Sequence, residues 1–237
     1  MKHSRPAPVQ FRDLSIGYGR DRPVIAGLTL DVVPGDVLAI IGPNGSGKTT
    51  LFRTLLGILP PLSGEVSVSG LSPTEYRRRR GIGYLAEDTA LPDKWSCEGI
   101  LTLAAGAAGP DADVPNAVRL AGVDYATDIS TSALSKGMKR RLALAVALMR
   151  PTRLLVLDEP ESGLDPGQRH RLRRRIDSIR SRMTILVASH DLGELALMSD
   201  HVLLIEHGRG RLVDQPDGGF TRDFLEREFL RLDGAVS

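Results

Sequence analysis

The chain has one cysteine, no apolar run long enough to span a bilayer, and almost no excess charge of either sign. With Cys97 alone, no intrachain disulfide can form, so no oxidising compartment is required and a reduced cytosol fits. The longest apolar stretches, Ile100 to Gly109 and Leu142 to Met149, fall well short of a membrane-spanning helix. The opening Met1-Lys2-His3-Ser4-Arg5-Pro6 leads into no hydrophobic signal region. The expectation is a soluble chain that stays inside the cell and takes any membrane role from a partner. The formal net charge is only +2, from 31 basic and 29 acidic residues, and the basic ones, mostly arginine, are spread along the chain. That is not a nucleic-acid footprint, so no nucleic-acid partner is expected. The runs Arg77-Arg78-Arg79-Arg80 and Arg171 with Arg173-Arg174-Arg175 read as solvated turn and helix faces. There is no internal repeat, no low-complexity segment and no heptad run.

What is present begins with size: 237 residues with 41% hydrophobic content suit one large domain, or a core with a subdomain. The most informative stretch is Gly42-Pro43-Asn44-Gly45-Ser46-Gly47-Lys48-Thr49-Thr50, which fits G-x-x-x-x-G-K-[ST]. Chance would place that pattern in such a chain only ~1% of the time, multiplying residue frequencies across its positions. Val37-Leu38-Ala39-Ile40-Ile41 before it reads as a buried strand, and Leu51 to Leu56 after it has the spacing of a helix face. At such a junction unpaired N–H groups and the helix dipole face an anion, the glycines let the backbone wrap it, and Lys48 adds a full charge. The loop therefore points to a nucleotide phosphate.

Val9 to Val33 alternates β-prone segments with the turns Gly17-Tyr18-Gly19 and Pro34-Gly35-Asp36, and Glu65 to Gly70 alternates likewise, which predicts an antiparallel sheet. Thr89 to Met149 reads as a helical insert. Strands return at Leu154 to Leu157 and Thr184 to Ala188 with the amphipathic Arg169–Ile179 helix between them, a βαβ unit on a parallel sheet. The first of these strands ends in Asp158-Glu159, as a phosphate-loop enzyme brings an acid to Mg²⁺ at the carboxyl end of its sheet. Asp158 is the metal-side candidate. Glu159 is placed to orient and polarise an attacking water.

With these motifs in order, the chain resembles the nucleotide-binding subunit of an ATP-binding cassette (ABC) transporter over nearly its whole length. Leu134-Ser135-Lys136-Gly137-Met138 is similar to the family's signature motif, although the family usually has Gly at Lys136 and Gln at Met138. On its own a Ser-Lys-Gly turn would be only a helix cap. Ser162-Gly163-Leu164-Asp165 resembles the loop that links the two subunits' sites, with Asp165 its acidic residue. His190 resembles the switch histidine that contacts the γ-phosphate, and Tyr18 lies where an aromatic stacks on adenine. The family usually ends the strand Ile82 to Leu85 with a Gln, and Glu87 fills that position here; a carboxylate can also ligate Mg²⁺. Glu87, the Ser-Lys-Gly-Met signature and the ending Phe224 to Leu230 resemble the subgroup serving two-component exporters.

The resemblance implies an α/β fold: a P-loop NTPase (RecA-like) core with a parallel sheet, an N-terminal antiparallel β subdomain and an α-helical subdomain inserted at about residues 89–150, all within one domain of residues 1–237. It implies an ATPase whose cofactors are ATP and Mg²⁺. Lys48, Glu159 and His190 would be catalytic; Thr49, Asp158 and Glu87 would be metal-side; and Tyr18, the loop Gly42 to Thr50, Ser135, Gly137 and Asp165 would bind nucleotide. The implied partners are a second, identical ATPase subunit, whose Ser135 and Gly137 meet this chain's γ-phosphate, and a separate transmembrane permease that holds the pair on the inner face of the cell membrane. Two other readings stay open: a soluble cassette ATPase in cofactor assembly, and a regulatory module that binds nucleotide without meaningful turnover. Cargo is selected by a membrane subunit absent from this sequence, and direction stays open, with export the lean.

Overall fold

Residues 8–19, 22–123 and 128–233 are described by a computed structural model; the Met1 to Pro6 lead lies outside them. In chain order the elements are β1 (Val9–Ile16), β2 (Ile25–Val32), β3 (Val37–Ile41), α1 (Lys48–Leu55), β4 (Ser63–Val68), α2 (Pro73–Arg80), β5 (Gly83–Leu85), α3 (Cys97–Ala108), α4 (Val114–Ala121) and α5 (Lys136–Ala147). There follow β6 (Leu154–Asp158), α6 (Pro166–Arg180), β7 (Thr184–Ala188), α7 (Leu192–Met198), β8 (His201–Glu206), β9 (Arg209–Val213) and α8 (Arg222–Asp233).

The unbroken apolar runs form the interior of a six-stranded sheet in the order β5-β6-β7-β3-β8-β9, parallel from β5 to β8, with β9 antiparallel on β8. Successive side chains of a strand point to opposite faces, and a parallel sheet is covered on both. Leu38 and Ile40 of β3 accordingly pack with Phe11, Ile25, Leu51 and Phe52, while Val37, Ala39 and Ile41 belong to the opposite core with Leu142, Leu144 and Ile179. The first face is roofed by a three-stranded antiparallel sheet in the order β2-β1-β4, registered by Val9 against Val32 and Val68. This is the α/β arrangement, parallel core plus N-terminal antiparallel sheet, that the sequence implies.

Among the described residues three α-helices lie between β5 and β6, each started by a polar cap: Ser96 accepts from the Gly99 N–H (3.0 Å), Asp113 from Asn116 (3.1 Å) and Ser135 from Met138 (3.2 Å). The helical pattern read from Thr89 onward begins only at Cys97. Before it, the Thr131 hydroxyl donates to the Pro92 carbonyl (2.7 Å) and the Thr131 N–H to the Trp95 carbonyl (2.8 Å). Trp95, the chain's one tryptophan, is 46% exposed there. Strands β8 and β9 complete the sheet beyond what sequence patterning singles out. Among the described residues no helix is long and apolar enough to cross a membrane.

Candidate functional site

Strand register assembles the site. Ile40 lies opposite Ala188, Asp158 opposite Ala188, and Leu85 opposite Leu157. The segments that leave the carboxyl ends of β3, β5, β6 and β7 therefore emerge side by side, where ligands of parallel α/β sheets bind. Tyr18, Asn44, Gly45, Gly47, Lys48, Thr49, Thr50, Glu87, Asp158, Glu159 and His190 line one cleft there, with a volume of about 750 Å³.

The loop before α1 is shaped by glycine. A Cβ on Gly42 would stand 2.4 Å from the Ile205 carbonyl oxygen and 2.5 Å from Ser46 Oγ, so no larger residue fits without a shift. Gly47 holds φ at 108°, which favours glycine, and no side chain caps the helix it begins. The first-turn N–H groups of α1 thus remain for an anion. Ser46 Oγ is buried without a hydrogen-bond partner. Lys48 Nζ donates to the carbonyls of Gly42 (2.7 Å) and Pro43 (3.1 Å), so these two residues sit behind the cleft and hold its cation. Burial lowers the Lys48 pKa, opposed by the charges of Glu159, Asp158 and Glu87.

Thr49 Oγ1 donates to Asp158 Oδ2 at 3.0 Å. Burial raises the Asp158 pKa; the Thr49 hydrogen bond opposes that, while Glu159 and Glu87 add to it. Three carboxylates facing one lysine leave room for a hard cation, and a hydroxyl beside a carboxylate is a donor set suited to Mg²⁺. Among the described residues no three His, Cys, Asp or Glu side chains converge into a protein-only cage.

Glu159 Oε2 accepts from the His190 N–H (3.3 Å) and lies 2.7 Å from His190 Nδ1. The Glu159 side chain is nearly buried, whereas that of His190 is 77% exposed. Glu159 also holds the left-handed φ of 46°, with its N–H donating to the Ala188 carbonyl at 2.8 Å. Tyr18 is exposed at the cleft mouth, its hydroxyl accepting from Arg53 Nη1 at 2.7 Å.

Ser135, Gly137 and Asp165 lie away from this cleft. Ser135 and Gly137 line a second cavity with Arg140, Leu164 and Gln168. Ser135 spends an acceptor lone pair on its helix cap, which leaves the hydroxyl proton to donate. Asp165 caps α6 by accepting from the Gln168 N–H at 2.9 Å.

Two buried charged groups at the site carry no mark in the sequence. Arg140 hides in a Lys-Arg-Arg run, and its guanidinium meets the main chain beside Asp158 and Glu87. Glu161 is buried beside Ser189, whose hydroxyl it accepts, and burial pushes its carboxyl up to about 7.

A family model described as ABC transporter matches residues 25–162. A Burkholderia thailandensis protein named Nod factor export ATP-binding protein I is 38% identical over 211 residues, spanning 86% of this chain and 69% of the relative. A Rhizobium meliloti protein of the same name is 34% identical over 216 residues, and the match spans 87% of this chain but just 64% of that relative's length. Among solved structures, one described as the ATP binding subunit of an ABC transporter shares 28% identity at a TM-score of 0.73, covering 94% of both chains. A Clostridium perfringens chain described as part of the ABC transporter complex cbiONQ shares 27% identity at a TM-score of 0.76, covering 94% of this chain and 92% of that one.

Proposed function

The chain belongs to the ABC transporter family, as one of its ATP-binding ATPase subunits, and from that premise we propose that two like copies close head to tail around ATP and Mg²⁺ to drive export through a separate membrane permease. The observation that carries this reading is the register that brings Lys48, Thr49, Asp158, Glu159 and His190 from three strand ends into one cleft. Lys48 exchanges its two loop carbonyls for phosphate oxygens, and the uncapped N–H groups of α1 receive the rest of that charge. Thr49 and Asp158 would hold Mg²⁺, with Glu87 at the edge of the same cleft, and the ion when bound neutralises phosphate charge. Glu159, steered by the His190 N–H and ring, accepts a hydrogen bond from the attacking water, and His190 supports the γ-phosphate. Ser135 and Gly137 of each copy complete the site of the other.

Like copies are favoured because every residue the family's site uses is present in this one chain, apart from the Glu87 and signature substitutions. The export direction draws on the names of the Burkholderia and Rhizobium relatives, and the membrane partner on the description of the Clostridium chain as part of a complex. The pair would then sit in the cytoplasm, peripheral on the inner face of the cell membrane. Glu159→Gln is the test: ATP affinity stays within a few-fold by calorimetry, while phosphate release falls on the order of 100-fold or more. Unchanged turnover would sink the role given to Glu159.

A further inference from the structure

Arg140 stands in the second turn of α5 and is buried. A guanidinium has five N–H donors, and here all five meet main-chain carbonyl oxygens. Nε reaches Pro160 (2.8 Å), Nη1 reaches Ala86 (2.7 Å) and Glu87 (2.9 Å), and Nη2 reaches Asp158 (3.0 Å) and Glu159 (2.6 Å). The acceptors come from two segments remote in sequence: the turn that leaves β5 and the turn that leaves β6. Taking a cation out of water is unfavourable. Desolvation accordingly weakens the hold of Arg140 on its proton, and the charges of Glu161, Asp158, Glu87 and Glu159 counter it.

The choice of acceptor matters. A buried arginine paired with Asp158, Glu159 or Glu87 through their carboxylates would take those groups away from the cleft. By gripping carbonyls it neutralises nothing directly and leaves all three side chains lining the cleft. Glu159 gains most: a non-glycine residue in left-handed backbone is strained and persists only where its surroundings over-determine it. Its N–H is held by the Ala188 carbonyl and its own carbonyl by Arg140, so the strained peptide is fixed from both sides.

We propose that Arg140 is a positioning residue for hydrolysis: its planar donor fork locks the 86–87 and 158–160 turns to each other and to α5, so that the helix beginning at Ser135 transmits subunit closure to Glu159 and Glu87. This rests on the reading that Glu159 polarises the attacking water. Lysine keeps the charge but offers a point of three donors rather than a fork, and glutamine leaves no buried charge behind.

The test uses the full chain as Arg140→Lys and Arg140→Gln. ATP affinity by calorimetry is expected within threefold of the parent, with kcat lower on the order of 10–100-fold, as for a small misplacement of a catalytic group. Hydrogen–deuterium exchange is expected to rise together at residues 86–88 and 159–161. In the unaltered chain, whatever the variants' yield, the two segments are expected to open at one common rate. Different opening rates, a rise confined to one segment, a kcat within threefold of the parent, or an affinity loss as large as the kcat loss each overturn the proposal. Glu159→Gln runs alongside. If it leaves turnover intact, the reading of Glu159 falls and this proposal with it; if it abolishes turnover and Arg140→Lys does not, only the proposal falls.

Discussion

Glu161 shows how burial can dominate the protonation of a single group. Desolvation pushes its carboxyl from an ordinary 4.5 up to about 7, against the Ser189 hydrogen bond and a backbone hydrogen bond, with Glu159 and Asp191 adding to the rise. The unfolded chain releases this proton near 4.5, whereas the folded chain keeps it until about 7. Between those values the folded state binds more protons than the unfolded one, so this group's contribution to stability falls as pH rises and levels off above about 7. Glu161→Gln is expected to remove that slope. Its Tm relative to the parent should climb from pH 4.5 to pH 7 in a calorimetric series; a constant difference would contradict the assignment. Neither this carboxyl nor Arg140 is legible in the chain. Arg140 lies 53 and 54 residues from the turn after β5 and 18 to 20 from the turn after β6. Which carbonyls it meets is decided by strand order, and a Lys-Arg-Arg run looks solvated until that order is known.

At the scale of elements, the joint between β3 and α1 is closed against backbone. Gly42→Ala would drive a methyl group into the Ile205 carbonyl, which is backbone of β8 and cannot swing aside. The expected cost is about 1–3 kcal/mol, as for overpacking. A lower urea midpoint at unchanged m value reports it, together with weaker ATP binding; a midpoint equal to the parent's would show that the joint yields. The same strands explain what could be read beforehand. β3, β6 and β7 are buried on both faces and therefore appear as continuous apolar runs, and the phosphate loop is a contiguous motif. β9 runs Arg209-Gly210-Arg211-Leu212-Val213 at the sheet edge, where charge is tolerated and discourages further pairing, so nothing in its pattern marks a strand. The late start of α3 was hidden for a related reason: the stretch before it is held by Thr131, far along the chain.

Taken whole, the molecule carries two unlike cavities on one chain, the Lys48–Asp158 cleft and the Ser135–Gly137 face, which the proposed pair would join. A two-fold pair in which each half meets the other's complement closes both at once. A chain carrying Lys48→Ala and a chain carrying Gly137→Asp should each lack turnover. Mixed in equal amounts they should regain part of it, about a quarter for random pairing, because each mixed pair restores one complete site. Mixing that recovers nothing would count against a shared site. The lone tryptophan lends this molecule a native optical gauge. Trp95 sits half in water between Glu87 and α3, with its carbonyl tied to Thr131, so the ultraviolet emission of that indole has a single address. Colour shifts and iodide quenching during turnover would follow the joint between the cleft and the helical layer in real time, with no dye attached.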